Sequence, residues 1–191
     1  MTRLPFALAV FSLAAPIALA QTSTWVTDPN HSEVDFVVKH MSLSNVHGRF
    51  GGVKGTIVLN ESDITKSSVN VTIDTTSVDT GVSMRDNDLK SPNYFDTAQF
   101  PTATFNSTSV SGSAGHLAVT GNLTLHGVTK PVTLDVEGPS GPANGMGNKQ
   151  HEGYSATVTI NRKDFGVGAK TPNGMVSDEV KLTIELDVAK Q

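Results

Sequence analysis

Apolar and polar residues alternate with a period of two over most of the chain, which predicts β-strands with one buried and one wet face. Val34, Phe36 and Val38 alternate with Glu33, Asp35 and Lys39. Beyond a turn, Phe50, Ile57 and Leu59 mark a second strand, in which Gly51-Gly52 and Gly55 predict a bulge or bend. Val69, Val71 and Ile73 mark a third, and Ala103 and Phe105 open a fourth. The Gly112 to Gly115 stretch then turns the chain into Leu117, Val119, Gly121, Leu123 and Leu125, a hairpin. His126-Gly127 reverses it again into Val132, Leu134 and Val136, and two further runs follow, Tyr154 to Ile160 and Val180 to Val188. The pattern predicts eight strands.

The period breaks in three places. Within residues 82–96, Met84 to Lys90 predicts one or two helical turns stopped by Ser91-Pro92, and Ser91 is placed to cap a second short turn carrying Tyr94 and Phe95. The Gly/Pro/Asn-rich residues 138–153 and residues 161–179 read as two long loops, the length associated with lids and mouths. Eight sequential antiparallel strands with one apolar face close naturally into an up-and-down barrel, which removes exposed sheet edges. A two-sheet sandwich is the alternative. An outer-membrane barrel fits poorly, because Glu33, Asp35, Lys39, Asn70, Thr72 and Asp74 fall on the outward face, where lipid would demand apolar residues.

The first residues follow a different grammar. Arg3, the apolar run from Leu4 to Ala15, and Ala18-Leu19-Ala20 before Gln21 have the order of a secretory signal peptide, too short to span a bilayer. Residues 1–20 are therefore expected to be removed between Ala20 and Gln21, and residues 21–191 to form one domain in the periplasm or outside the cell. The chain of 191 residues holds 14 Lys and Arg against 18 Asp and Glu; without Arg3 the balance is 13 against 18, about −5, with no basic run. Nucleic acid and anionic membrane surfaces are therefore not expected as partners, nor is stable membrane insertion. No cysteine is present, which excludes disulfides, a thiol nucleophile and Cys-ligated metal.

Whether such a barrel is filled or hollow turns on its inward residues. Gly55, Ala103, Gly121 and Ala156 are small and fall in the inward register, and Phe36, Phe50, Phe95 and Phe105 supply aromatic walls. The residues alone leave both readings open, since large and small side chains also interdigitate in a dry core.

Five stretches narrow the choice. Asn70-Val71-Thr72-Ile73, Thr76-Ser77-Val78-Asp79-Thr80, Arg85-Asp86 with Leu89-Lys90-Ser91 and Phe95, Phe100-Pro101-Thr102-Ala103-Thr104-Phe105, and Leu125-His126-Gly127-Val128-Thr129-Lys130-Pro131-Val132 occur in this order. In them the chain resembles the YceI-like family of periplasmic polyisoprenoid-binding proteins over essentially the whole mature domain. The resemblance implies a lipocalin-like eight-stranded antiparallel barrel around a long isoprenoid chain, a polyprenyl phosphate or the tail of a respiratory quinone. It implies storage or transport of that lipid with no catalysis and no cofactor. Transient contact with a membrane or a respiratory protein, and a homodimer, are compatible with it.

Strand register gives the expected ligand contacts: Phe36, Val38, Phe50, Ile57, Phe105, Gly121, Leu125, Leu134 and Ala156 inside the barrel, with Phe95 as a further aromatic wall. At the mouth, His40 ends the first long strand, and Arg85 lies in the helical segment, where its guanidinium suits a phosphate or quinone oxygen. A hydrogen-bonded core histidine, and an ion pair of Arg85 with Asp86, Asp88 or Asp96, are the structural alternatives. Other classes find little support. No Gly-x-Ser-x-Gly, His-Glu-x-x-His or phosphate-loop pattern is present. The six histidines match no common metal spacing, although His40 and His47 flank one turn. A solid-core adhesive domain shares every pattern except the small inward residues.

Overall fold

The computed structural model describes residues 21–145 and 148–191; the signal-peptide reading of residues 1–20 lies outside them. Ten strand segments form a single antiparallel sheet that closes on itself: β1 (Thr22–Thr27), β2 (Glu33–His40), β3 (Ser44–Phe50), β4 (Lys54–Asn60), β5 (Ser68–Asp74), β6 (Thr102–Ser113), β7 (His116–Leu125), β8 (Val128–Asn144), β9 (Gln150–Asn161) and β10 (Glu179–Lys190).

Ten segments make eight staves. β1 and β2 both pair with β10, through Thr27 opposite Val188 and Glu33 opposite Glu185, so they are one stave interrupted at residues 28–32. β3 pairs with β2 and β4 with β1, so these two form the second stave, interrupted at residues 51–53 where the glycines predicted a bend. The remaining strands follow in sequence order, each hydrogen-bonded to the next. The eight-stranded barrel expected from the alternation is the architecture observed.

Side-chain hydroxyls satisfy the backbone where the staves break. Thr27 Oγ1 donates to Val53 O at 3.2 Å and accepts from Gly55 N at 2.8 Å, and Ser32 Oγ exchanges hydrogen bonds with the backbone of Asp187. Both residues are buried. Unpaired polar backbone there would cost free energy, so these hydroxyls make the kinks tolerable.

Two expectations need correction. Residues 22–27 were not expected to form a strand, because of the inward positions Ser23, Trp25 and Thr27 only Trp25 is apolar. The tryptophan is buried and donates from Nε1 to Ser23 Oγ at 2.9 Å, which lets a polar residue sit inward. Residues 138–153 are not one long loop either. β8 runs on to Asn144 and β9 begins at Gln150, with register shifts between Glu137 and Ser140 and between Ser140 and Ala143. Pro139 and Pro142 fall at these two bulges, where a residue without an N–H breaks no ladder hydrogen bond.

One end of the barrel is capped by the long connection from β5 to β6, which contains α1 (Ser83–Lys90) and the turn carrying Tyr94 and Phe95, and by residues 162–178 between β9 and β10. At the other end a short 3-10 turn, Ile64–Lys66, lies across the opening, fixed by Asn60 Oδ1 accepting from the backbone of Ser62 and Asp63.

Candidate functional site

The interior holds two apolar cavities in series. The larger, about 360 Å³, lies beneath α1 and residues 162–178. The smaller, about 110 Å³, lies toward the Ile64–Lys66 end and has a wholly apolar surface. Val34, Ile73, Leu123 and Leu182 border both, forming a waist between them. Along β10, from Val180 in the upper cavity to Leu186 in the lower, the column spans about 20 Å at roughly 3.3 Å per residue. The interior is therefore hollow where a solid core would interdigitate.

Each stave contributes because its inward residues alternate with wet ones. In β2 the inward series Val34, Phe36, Val38, His40 runs from the buried waist to an exposed end. The Phe36 ring lies over Gly48 on the paired strand, occupying the place a Cβ would take. Phe50 meets Phe36 at 5.4 Å between centroids, and Phe95 from the capping segment meets Phe50 edge-on at 5.2 Å. The cap is thus locked to the barrel by an aromatic contact of preferred geometry.

The register residues distribute between the two cavities. Phe36, Val38, Phe50, Phe95 and Leu125 line the upper one with His40 and Arg85, and Ile57, Phe105, Leu134 and Ala156 line the lower one. Gly121 lines neither. A Cβ on it would come within 2.5 Å of the Phe105 ring, so its missing side chain makes room for that ring, and the ring forms the wall. In this structure Gly121 is a packing position.

Among the described residues that line the two cavities, charged side chains and histidine occur only around the upper one. Arg85 donates from Nε to Thr80 Oγ1 at 2.7 Å and from Nη2 to Thr80 O at 2.9 Å. Asp86 is held by Thr80 instead, accepting from its N at 2.8 Å and its Oγ1 at 2.6 Å. Among the described residues Arg85 forms no ion pair with Asp86, Asp88 or Asp96, and its Nη1 has no protein acceptor. His40 is exposed, with its backbone bridged to Val176, so it is a rim residue and not a core histidine. The β2–β3 register sets His40 opposite Ser44 and His47 opposite Val37, so the two histidines do not face each other. Among the described residues no three acidic or histidine side chains converge as metal ligands.

Arg162 was not anticipated. It is 4% exposed, lines the floor of the cap and donates to five carbonyls, those of Val167, Gly168, Thr171, Val176 and Ser177, as well as to Asp178 Oδ1 at 2.9 Å. One guanidinium thereby holds the whole 162–178 segment in shape. A basic residue just past a strand end reads as surface, and nothing in the local pattern distinguishes this one. Thr171 Oγ1 then donates to Tyr94 Oη at 3.1 Å, joining this segment to the α1 connection. At the lower end Tyr154 donates its hydroxyl to Glu152 Oε2 at 3.1 Å. Burial holds the Glu152 carboxyl above its ordinary range and pushes the Tyr154 hydroxyl well up.

Comparison with known proteins agrees with this geometry. The family model for the YceI-like domain matches residues 25–188. Protein YceI of Escherichia coli O157:H7 is 38% identical over 188 residues, covering 98% of this chain and 96% of its own length. The crystal structure of Burkholderia cenocepacia BcnA superposes with a TM-score of 0.74 at 26% identity, covering 84% of this chain and 98% of that one. A polyisoprenoid binding domain from Saccharophagus degradans, implicated in plant cell wall breakdown, shares the fold with a TM-score of 0.65 at 18% identity, over 90% of this chain and 100% of that one.

Proposed function

The chain belongs to the YceI-like family, and from that premise we propose that it binds a long-chain isoprenoid lipid, a polyprenyl phosphate or an isoprenoid quinone, and stores or carries it in the periplasm. The observation that carries this reading is the pair of cavities in series, apolar along the column, with charged side chains among the described lining residues only around the upper one. The upper cavity falls within the range of about 300–1,000 Å³ usual for ligand sites. The shared fold of the polyisoprenoid binding domain from Saccharophagus degradans points to the same ligand class.

Magnitudes decide how such a ligand is held. Each buried CH2 contributes roughly 0.8 kcal/mol, so one isoprene unit contributes about 3–4 kcal/mol gross. An exposed charge contact to a head group contributes about 0–1 kcal/mol. The tail supplies affinity; Arg85 and His40 at the mouth orient or select the head. Export through residues 1–20, with cleavage before Gln21, supplies the compartment.

The test is delipidated protein melted with and without polyprenyl phosphate. A ligand present at a hundred times its Kd stabilises the native state by about 2.7 kcal/mol. For a domain of this size that raises Tm by roughly 5–10 °C. A Tm that stays constant across the titration contradicts the proposal.

A further inference from the structure

Five large apolar side chains are exposed among the described residues: Met41, Leu43, Val82, Met84 and Met175. All five belong to the segments that frame the upper cavity. Met41 and Leu43 form the β2–β3 turn directly after His40, and Met41 N donates to Met175 O at 2.9 Å, so this turn and the 171–176 turn are tied together. Val82 caps α1 and Met84 stands in its first turn, next to Arg85, which lines the same cavity. Among the described residues none lies at the opposite end of the barrel. Met175 both lines the cavity and is 55% exposed, so apolar surface continues from the interior out through the mouth.

From this we propose that the mouth docks on the surface of a lipid bilayer by inserting these apolar tips between head groups, so that an isoprenoid passes between membrane and cavity without crossing water. The inference rests on the lipid-carrier reading above and adds to it the surface through which exchange occurs. A bilayer fits better than a protein partner. The tips sit on the 41–43 turn, on the 171–176 turn and at the start of α1, and protrude strongly at Leu43 (81% exposed) and Met84 (84% exposed). Scattered protruding anchors suit a fluid apolar phase, whereas a protein interface buries a contiguous patch. Charge is nearly balanced in the framing segments, residues 39–44, 82–90 and 162–179, which hold six Lys and Arg against five Asp and Glu, so attachment does not depend on anionic lipid.

The experiment is cosedimentation of the purified protein with vesicles of phosphatidylcholine and, separately, with vesicles that also hold anionic phosphatidylglycerol, for wild type, Leu43→Glu and Met84→Glu. Neither side chain lines a cavity and both are solvated, so folding is preserved, and Tm together with uptake of polyprenyl phosphate from detergent micelles checks this. Wild type is expected to sediment with the vesicles at any salt concentration, and each variant to bind about tenfold more weakly while micellar uptake is unchanged. Wild type that takes up polyprenyl phosphate from micelles but ignores the vesicles overturns the docking surface and leaves the carrier reading standing. Failure of both uptake and vesicle binding removes the carrier reading as well. Binding only to anionic vesicles and lost in salt, or a dimer abolished by Leu43→Glu with no vesicle binding, also overturns it.

Discussion

Arg85 stands beside the upper cavity, where the charged lining residues among the described ones gather, with Nε and Nη2 committed to Thr80 and Nη1 without a protein acceptor. Because an exposed charge contact is worth about 0–1 kcal/mol, Arg85→Ala should weaken polyprenyl phosphate by no more than about fivefold and leave the corresponding polyprenol unchanged. Parallel titrations of the two ligands measure this; an equal loss for both, or an unfolded variant, would place Arg85 in the scaffold instead. At this scale the sequence was legible wherever side-chain direction follows from strand period. Phe36, Phe50, Leu134 and Ala156 line the interior because alternate residues of a strand share a face. Gly121 obeys the same rule, yet its neighbour's ring occupies the space, which register does not reveal.

Among the elements, the segment 162–178 is the one whose shape depends on a single residue. Arg162 is the common donor to five of its carbonyls and to Asp178. Replacing it by methionine leaves buried acceptors unpaired, and Lys163, which reaches Asp178 at 3.0 Å, restores only one of them. Arg162→Met should cost about 3 kcal/mol in denaturant unfolding, and Arg162→Lys should recover little, because an ammonium lacks the planar fork. A loss under 1 kcal/mol would show that the cap holds its shape by packing. Long-range hydrogen bonding of this kind has no period, so a loop at residues 161–179 was legible and its anchor was not. The opposite error occurred at residues 138–153, where Gly and Pro content suggested a loop but bulges absorb both prolines within β8 and β9.

For the molecule as a whole, a closed barrel with cavities in series makes capacity depend on inward volume. Ala156 lies on the lower cavity wall and is buried, so Ala156→Leu should fold with little loss of stability after delipidation while holding less of a long isoprenoid. In a close-packed interior the same change would overpack and cost roughly 1–3 kcal/mol; denaturant stability read beside bound lipid per chain separates the two. The barrel itself was legible because every stave repeats one two-residue rule, whereas the 22–27 half of the first stave was hidden by Ser23 and Thr27 facing inward. The claim that unites these scales is that the interior holds an isoprenoid chain. Organic extraction of the protein purified from its own compartment, followed by mass spectrometry, tests that most directly. The account predicts close to one polyprenyl phosphate or isoprenoid quinone per chain, and an extract containing no isoprenoid, from folded protein that then takes up none when it is offered, would contradict it.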